Sequence, residues 1–375
     1  MVNKQRLIRL TQDLIRINSE NPPGNERRIA LFIQKTLEKY GLTTLLYEFA
    51  KGRTNVVGIL PGTAKNKSLL LTPHLDTVPA GKGWKFSPFS GKIHNGRIYG
   101  RGATDCKGNV AAGIEAIISL VEDGAQLKHT LFFAATADEE SGSKLGLIPL
   151  IHKRILKPSA AIILDSDAFN IIVAQKGLIH FKITLSGKKS HGAYPERGIN
   201  AIDLATAIIK KLKSHAFMHK KHPLLNPPTI NIGTIRGGDK VNIVADWCEV
   251  EVDLRFLPGM DPKKILKQIH ALIGSVTKKY KLEISALQNP CEIDTAHPLV
   301  KCLKSVNKRI ARSQRIKGSQ GATVITFLAE RNIPCVATGF GTPRCAHTTD
   351  EHVKINDLYR GAKVLEAFIK EFDSQ

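Results

Sequence analysis

Six acidic and imidazole side chains lie near the ends of predicted strands, where together they could bind metal ions. Two are imidazoles, four are carboxylates, and two of the carboxylates are adjacent in the chain. Two imidazoles and three carboxylates suit two divalent cations such as zinc, cobalt or manganese. The remaining carboxylate could then act as a base. The set comprises His74, Asp105, Glu139, Glu140, Asp165 and His347. The sequence therefore predicts hydrolytic chemistry with two metal ions.

A further carboxylate, Asp76, follows His74 by two residues. Residues i and i+2 of an extended stretch project to the same side. We therefore expect the Asp76 carboxylate to hold the second ring nitrogen of His74 and to fix its tautomer, as partners of metal-binding histidines do. A turn or helix-capping aspartate is the alternative.

The other carboxylates also have plain structural alternatives. Asp105 precedes a predicted helix, where a capping aspartate is common, although a carboxylate with two oxygens can also bridge two cations. Glu139 and Glu140 could lie on a solvated helix face. Their position directly after an apolar strand favours a role in a site, with one side chain on a metal and the other facing a substrate.

The elements around these residues predict an α/β fold. Residues 68–72, 130–136 and 160–164 are short apolar runs, as buried strands of a mostly parallel sheet should be. Residues 109–121 carry apolar side chains at helical spacing, and Gly124 follows them. We expect a two-domain metallohydrolase fold with helices on both faces of the sheet.

The pattern changes after residue 176. Predicted strands and helices follow in the order β-α-β-β-α-β, which is typical of a ferredoxin-like α+β unit. Because His347 lies beyond this segment, we interpret it as an insertion. We predict a catalytic two-metal domain at residues 1–176 and 292–375, and an inserted lid or dimerisation domain at residues 177–291.

Length and composition are those of a globular protein. The 375 residues are 42% hydrophobic and 23% charged, and no apolar stretch approaches the ~20 residues of a membrane span. The N-terminal segment lacks the continuous apolar region of a secretory signal. Six cysteines show no compact disulfide pattern. We therefore expect a cytoplasmic location and no membrane partner.

The net charge of +22 is unusual. A field of this sign attracts acidic substrates or nucleic acid, but the basic residues are scattered along the chain. Their short clusters also lack the interleaved aromatic residues of a single-strand binder. A solvated basic surface is the simpler interpretation. A nucleic-acid-binding protein on an inactive enzyme scaffold is the alternative from another class, and the complete ligand set disfavours it.

The stretch at residues 71–140 resembles the M20 family of metallohydrolases, and the resemblance covers nearly the whole chain. It extends from the Ser19-Glu-Asn-Pro-Pro-Gly segment to the segment around His347. The resemblance implies one metal held by His74 and Asp165, a second held by Glu140 and His347, and Asp105 as the bridge. It also implies Glu139 as general base and general acid.

The resemblance extends into the inserted domain. His191 matches a histidine that, in dimeric members, reaches the active site of the partner subunit and polarises the scissile carbonyl. Gly238, Asn242 and Arg255 match positions that approach the substrate. Arg255 would be a bidentate clamp for a carboxylate, with a surface salt bridge as its alternative. A homodimer is therefore expected.

Some residues depart from the family pattern. Cys106 stands where methionine is usual, Pro73 where glycine is usual, and residues 318–323 lack the usual aspartate. Asp165 replaces a glutamate of many relatives, and Asp167 is a nearby competitor for its role. We expect hydrolysis of an N-acyl amino acid with two divalent ions, most simply zinc, with cobalt or manganese as alternatives. A peptidase acting on small peptides is the second prediction, because only the substrate pocket separates the two activities.

Overall fold

A computed structural model describes residues 1–165, 167–312 and 315–374. The chain divides into two compact units. The first comprises Met1–Val173, Ile293–Lys317 and Phe327–Gln375, and the second comprises Ala174–Glu292 and Gly318–Thr326. The predicted domain bounds counted residues 318–326 with the catalytic domain, whereas the compact second unit includes them. The functions of the two domains stay predictions.

The strands of the described chain are mostly short. In chain order they are β1 (Thr43–Ala50), β2 (Arg53–Leu60), β3 (Ser68–Thr72), β4 (Lys92–His94), β5 (Arg97–Tyr99), β6 (Thr130–Ala135), β7 (Ala160–Leu164), β8 (Ile171–Gln175), β9 (Gly177–Ser186), β10 (Thr229–Gly237), β11 (Trp247–Phe256), β12 (Tyr280–Gln288), β13 (Cys291–Glu292), β14 (Ile316–Ser319), β15 (Cys335–Thr338) and β16 (His352–Lys354).

The helices vary more in length. They are α1 (Lys4–Arg16), α2 (Arg27–Glu38), α3 (Lys107–Glu122), α4 (Leu147–His152), α5 (Ala201–Ser214), α6 (Pro262–Gly274), α7 (Pro298–Ala311), α8 (Ile325–Ala329) and α9 (Ile355–Asp373). Within the described ranges, none of these helices combines the length and the apolar character that crossing a membrane requires.

The first unit is built on a mixed sheet whose centre is parallel. Its strand order is β1-β2-β6-β3-β7-β15-β8. Strand β3 pairs in parallel with β6 and β7, and β15 pairs in parallel with β7. Antiparallel pairs flank this centre on both sides. The mixed α/β fold with a mainly parallel central sheet is therefore confirmed.

Helix α3 is the most deeply buried helix of this unit. It begins two residues before the predicted start, and its residues 107–120 are buried around the whole circumference rather than along one stripe. Helices α1 and α9 and strands β6 and β7 pack against it, which leaves it no solvated face. Gly113 is required there, because a Cβ would lie 2.7 Å from the Phe133 ring.

The parallel strands explain how distant residues come together. The carboxyl ends of parallel neighbours meet at one edge of a sheet, where ligands bind. Strand β3 ends two residues before His74, β6 ends four residues before Glu139, and β7 ends directly before Asp165. These three positions therefore share one edge of the sheet.

The second unit contains an antiparallel sheet with the order β10-β11-β9-β12. Helices α5 and α6 pack on one face, and their core includes Phe181, Ile208, Val250 and Ile269. Residues along β11 alternate between buried and less buried positions, which is typical of a sheet with one covered face. Its elements follow in the order β-α-β-β-α-β.

Candidate metal centre

Asp105 lies between the two imidazoles. Its Oδ1 atom is 2.9 Å from Nε2 of His74, and its Oδ2 atom is 3.2 Å from Nε2 of His347. These two histidines are 273 positions apart in the chain. One carboxylate therefore faces both imidazoles, each with a different oxygen, as a carboxylate that bridges two cations would.

The remaining carboxylates divide between the two imidazoles. Asp165 Oδ1 lies 3.9 Å from His74 Nε2, and Glu140 Oε2 lies 3.2 Å from His347 Nε2. Candidate ligand atoms lie within 4.8 Å of one another in each of three groups: His74, Asp105 and Cys106; His74, Glu139 and Asp165; and Asp105, Glu140 and His347. The structure thus brings all six predicted side chains together. Asp167 takes another partner, because its carboxylate accepts a hydrogen bond of 2.8 Å from Asn170.

The main chain orients the His74 ring. Nδ1 lies 2.9 Å from the carbonyl oxygen of Asp76, whereas the nearest Asp76 carboxylate oxygen is 3.7 Å away. A carbonyl only accepts hydrogen bonds, so Nδ1 carries a proton. Nε2 faces the Asp105 carboxylate at 2.9 Å, a contact that takes either a proton on Nε2 or a cation between the two groups. Our prediction gave this contact to the carboxylate. The closest acceptor belongs to the same residue but lies on its backbone.

The Asp76 carboxylate has a different set of partners. It accepts hydrogen bonds from the backbone N–H groups of Glu139 at 3.0 Å and Glu140 at 3.1 Å, and from the Asn21 amide at 2.9 Å. Glu139 starts a single 3-10 turn, Glu139–Ser141, after Asp138 in a left-handed conformation with φ of 65°. Asp76 therefore fixes the backbone from which both glutamates project.

The carboxylates crowd one another strongly. Burial raises the pKa of Glu139 well above its usual range, and the charge of Asp165 raises it further. Burial raises the pKa of Asp165 to about 7, and the charge of Asp105 adds to this effect. Hydrogen bonds to Asp105 and Glu140 raise the pKa of His347 to about 10. Such crowding is relieved when cations neutralise the carboxylates, so this oxygen and nitrogen donor set fits divalent cations.

Cys106 lies against the same loops but binds the main chain. Its Sγ atom accepts a hydrogen bond of 3.1 Å from the backbone N–H of His74 and donates one of 3.2 Å to the carbonyl of His74. The thiol is buried, and burial raises its pKa to about 12. The thiol therefore holds the His74 backbone in place.

Sequence reasoning missed two residues that support the site, Glu351 and Asn21. Glu351 is fully buried and accepts hydrogen bonds from the loop that carries Asp105. Asn21 binds Asp76. Both lie in polar segments that lack the hydrophobic periodicity of a helix or a strand. A carboxylate or an amide in such a segment is normally predicted to be solvent-exposed. Only the proximity of Glu351 to His347 in the chain hinted at a role.

The predicted substrate residues lie in the second unit. His191 is exposed and pairs by an antiparallel β-bridge with Ile243, next to Asn242, while the N–H of Gly192 donates to the carbonyl of Asn242 at 2.8 Å. Gly238 has a φ of 71°, which favours glycine. The structure therefore brings His191 and Asn242 together within this unit.

Arg255 has a partner already. Its Nε and Nη2 atoms donate to the two carboxylate oxygens of Asp253 at 2.7 and 2.9 Å. This bidentate pair is the salt bridge that we considered as the alternative to a substrate clamp. A substrate carboxylate would have to compete with Asp253 for the guanidinium.

The altered loop at residues 318–323 also belongs to the second unit. Thr323 donates its N–H to the side-chain oxygen of Gln175 at 3.1 Å, and Gln175 donates to the Thr323 carbonyl at 3.2 Å. The Gln320 side chain accepts from the N–H of Asn226 at 3.2 Å. These polar contacts hold the loop without the aspartate that the family pattern has there.

The fold and this cluster define the class of a metal-dependent hydrolase with a dinuclear centre. Residues 70–371 match Peptidase family M20/M25/M40, and the chain belongs to this family. The predicted family and the predicted hydrolysis of amide bonds are thereby confirmed.

The names of individual relatives and similar structures indicate different activities. The chain is 30% identical to an uncharacterised metallohydrolase of Methanococcus maripaludis, over 95% of this chain and 97% of that protein. It is 30% identical to an acetylornithine deacetylase of Proteus mirabilis, over 86% of this chain and 83% of that protein. The crystal structure of a tripeptidase from Staphylococcus aureus has a TM-score of 0.83 and 25% identity, with both chains covered completely.

Proposed function

We propose that this chain hydrolyses the amide bond of an N-acyl amino acid and releases a carboxylate and a free amino acid. The observation that carries this proposal is the similarity to an acetylornithine deacetylase over 86% of the chain, together with a cluster that contains all six predicted catalytic and ligand residues. The substrate panel described below would identify the acyl group and the amino acid.

Two divalent cations would be held by the clustered residues. We assign His74 and Asp165 to one cation, Glu140 and His347 to the other, and Asp105 to both, with zinc as the first candidate and cobalt or manganese as alternatives. When bound, such cations supply Lewis acidity, which lowers the pKa of water and polarises a carbonyl.

Glu139 is the proposed general base and acid. Its carboxylate groups with the side chains of His74 and Asp165 as a candidate ligand set, and a carboxylate beside the reacting water is a usual general base and acid. Glu139 removes a proton from the attacking water and later delivers it to the departing amine. Asp76 acts as a positioning residue, because it binds the N–H groups of Glu139 and Glu140.

The second unit is proposed to bind the substrate. His191 of the partner subunit would donate a hydrogen bond to the carbonyl oxygen of the scissile amide. Arg255 would bind the substrate carboxylate, with Asn242 and Gly238 beside it. These roles require a homodimer, and we propose one. A cytoplasmic location also stays a proposal.

A peptidase that acts on small peptides is the second candidate. The similarity to a tripeptidase structure with a TM-score of 0.83 supports it. Both candidates use the same hydrolytic residues and differ only in the groups that recognise the substrate.

The test is a substrate panel with the metal-stripped chain restored separately with zinc, cobalt and manganese. N-acetylornithine, N-succinyl-diaminopimelate, dipeptides and tripeptides would be compared by kcat/KM. We expect the highest value for an N-acyl amino acid. A higher value for a peptide would replace the first proposal with the second.

Glu139→Gln is the control for the chemistry. We expect it to bind metal like the wild type and to lose about 10²–10⁴-fold in kcat, the usual contribution of a general base. Near-normal turnover with both metals bound would remove Glu139 from the mechanism. If the wild type binds no metal and instead binds nucleic acid above 0.15 M salt, the result would favour a nucleic-acid-binding protein on an inactive enzyme scaffold.

A further inference from the structure

Glu351 is a buried carboxylate that joins two loops of the metal cluster. Its Oε1 atom accepts hydrogen bonds from the backbone N–H groups of Thr104 at 2.8 Å and Asp105 at 2.9 Å. Its Oε2 atom accepts from the Arg101 guanidinium at 2.7 Å and from the N–H of Gly102 at 3.1 Å. Four donors on residues 101–105 thus converge on one side chain that has no exposed surface.

Glu351 also lies in the segment that carries His347, four positions after that residue. The backbone carbonyl of Glu351 accepts from the N–H of Gly100 at 2.9 Å. Arg101 also donates to the carbonyl of Thr348 at 3.2 Å. The segment that carries His347 is therefore attached to the segment that carries Asp105 through the side chain and backbone of Glu351.

The His347 segment needs such an attachment because its backbone is strained. Arg344, His347 and Asp350 all have positive φ values, of 62°, 62° and 56°. Left-handed conformations are uncommon for non-glycine residues and persist where the surrounding structure holds them. Asp350 adds one such contact, since its carboxylate accepts from the N–H of Lys85 at 2.8 Å.

We propose that Glu351 is a positioning residue that sets the separation of Asp105 and His347, and with it the geometry of the second metal position. This inference rests on the proposed assignment of the metal ligands. Glu351 does not contact the metals in this scheme. Its carboxylate fixes the backbone of Asp105 from one side while its own backbone continues from the strained turn at His347.

The test compares Glu351→Gln with a matched control, Glu115→Gln. Glu115 is also a fully buried carboxylate, and it pairs with a guanidinium, that of Arg6, and accepts a backbone N–H, that of Asn3. It lies in α3, outside both loops of the cluster. Both variants would be loaded with cobalt, and the visible absorption spectrum and the cobalt affinity would be measured.

An amide at position 351 presents N–H groups to two of the four donors. We expect Glu351→Gln to change the cobalt spectrum and to weaken one of two bound cobalt ions about 10–100-fold, as loss of outer-shell partners of metal ligands does. Glu115→Gln should lower the melting temperature but keep the wild-type spectrum and affinity. A wild-type spectrum and affinity in Glu351→Gln would overturn the proposal.

If Glu351→Gln does not fold, a second variant, Glu351→Asp, still tests the proposal. Glu351→Asp keeps the charge but shortens the side chain, so it cannot reach all four donors, and we expect a smaller change in the same direction. A folded Glu351→Asp with an unchanged spectrum would also overturn the proposal. If the wild type itself binds no cobalt, the metal assignment fails instead, which separates the two hypotheses.

Discussion

The predicted metal ligands in the first unit and the predicted substrate residues in the second unit differ in how firmly they are held. His74 and Asp76 are buried, and Asp105 has a hydrogen bond from its backbone to Glu351 and contacts from its side chain to two imidazoles. His191 and Asn242 are exposed; His191 forms a β-bridge with Ile243, and Asn242 lies in a turn. The part of the cluster around His74 and Asp105 is therefore pre-organised by the fold, whereas the exposed ligand His347 and the recognition residues depend more on what approaches them.

This difference explains why the reaction class is clearer than the substrate. Residues locked by several partners permit few arrangements, and the arrangement here suits only a few kinds of chemistry. Exposed residues on turns accept many neighbours, and loops carry much of the variation between relatives. In agreement with this, the chain is similar in sequence to a protein named as a deacetylase and in structure to one named as a tripeptidase.

The largest effect on metal binding and turnover is expected from a change at Asp105. Asp105→Asn removes the charge between His74 and His347 and leaves two imidazoles without their shared partner. We expect loss of both metals and a fall in kcat/KM of more than about 10³-fold, because each position loses a ligand. Metal content by elemental analysis and turnover would be measured together. Full metal content with normal turnover would contradict the bridging role.

A smaller effect is expected at His191. His191→Ala should lower kcat about 10²–10³-fold, the usual loss of one oxyanion-binding donor, while the metal content stays unchanged. Mixing this variant with Glu139→Gln tests the partner contribution, since a mixed dimer would contain one site with both residues intact. Recovery of activity on mixing would support the proposal, and its absence with normal dimer exchange would count against it.

The smallest effect concerns Arg255 and Asp253. Arg255→Ala should raise KM about tenfold or more with little change in kcat, because it removes a charged hydrogen-bond donor to the substrate carboxylate. Asp253→Asn should lower KM, since the guanidinium loses its competing partner. If neither variant changes KM, Arg255 is a surface salt bridge and nothing more.

Part of the fold was predictable and part was not. Strands β3 and β7 are buried at every residue, so their apolar runs predicted them well. The hairpin of β1 and β2 went unrecognised, because β1 lies at the sheet edge and has no buried residue. Edge strands carry mixed side chains, and a period of two is then weak.

The site shows the same division. The residue types after β3, β6 and β7 predicted four of the six clustered side chains, and Asp105 and His347 were predicted from loops elsewhere in the chain. The Asp76 contact was assigned to the carboxylate, whereas the structure has the backbone carbonyl closer to His74 and the carboxylate on the N–H groups of Glu139 and Glu140. Spacing in the chain indicates which residues are neighbours but not which of their atoms meet.

The candidate donors and the hydrolytic chemistry could be predicted from the amino-acid sequence, because they depend on residue types and on local patterns along the chain. Three contacts became visible only in the folded chain: Asp105 faces both imidazoles, Glu351 binds the Asp105 loop, and Arg255 pairs with Asp253. Two of these contacts join residues that are far apart along the chain. Asp105 and Glu351 are 246 residues apart, so their contact depends on how the strands and loops between them pack.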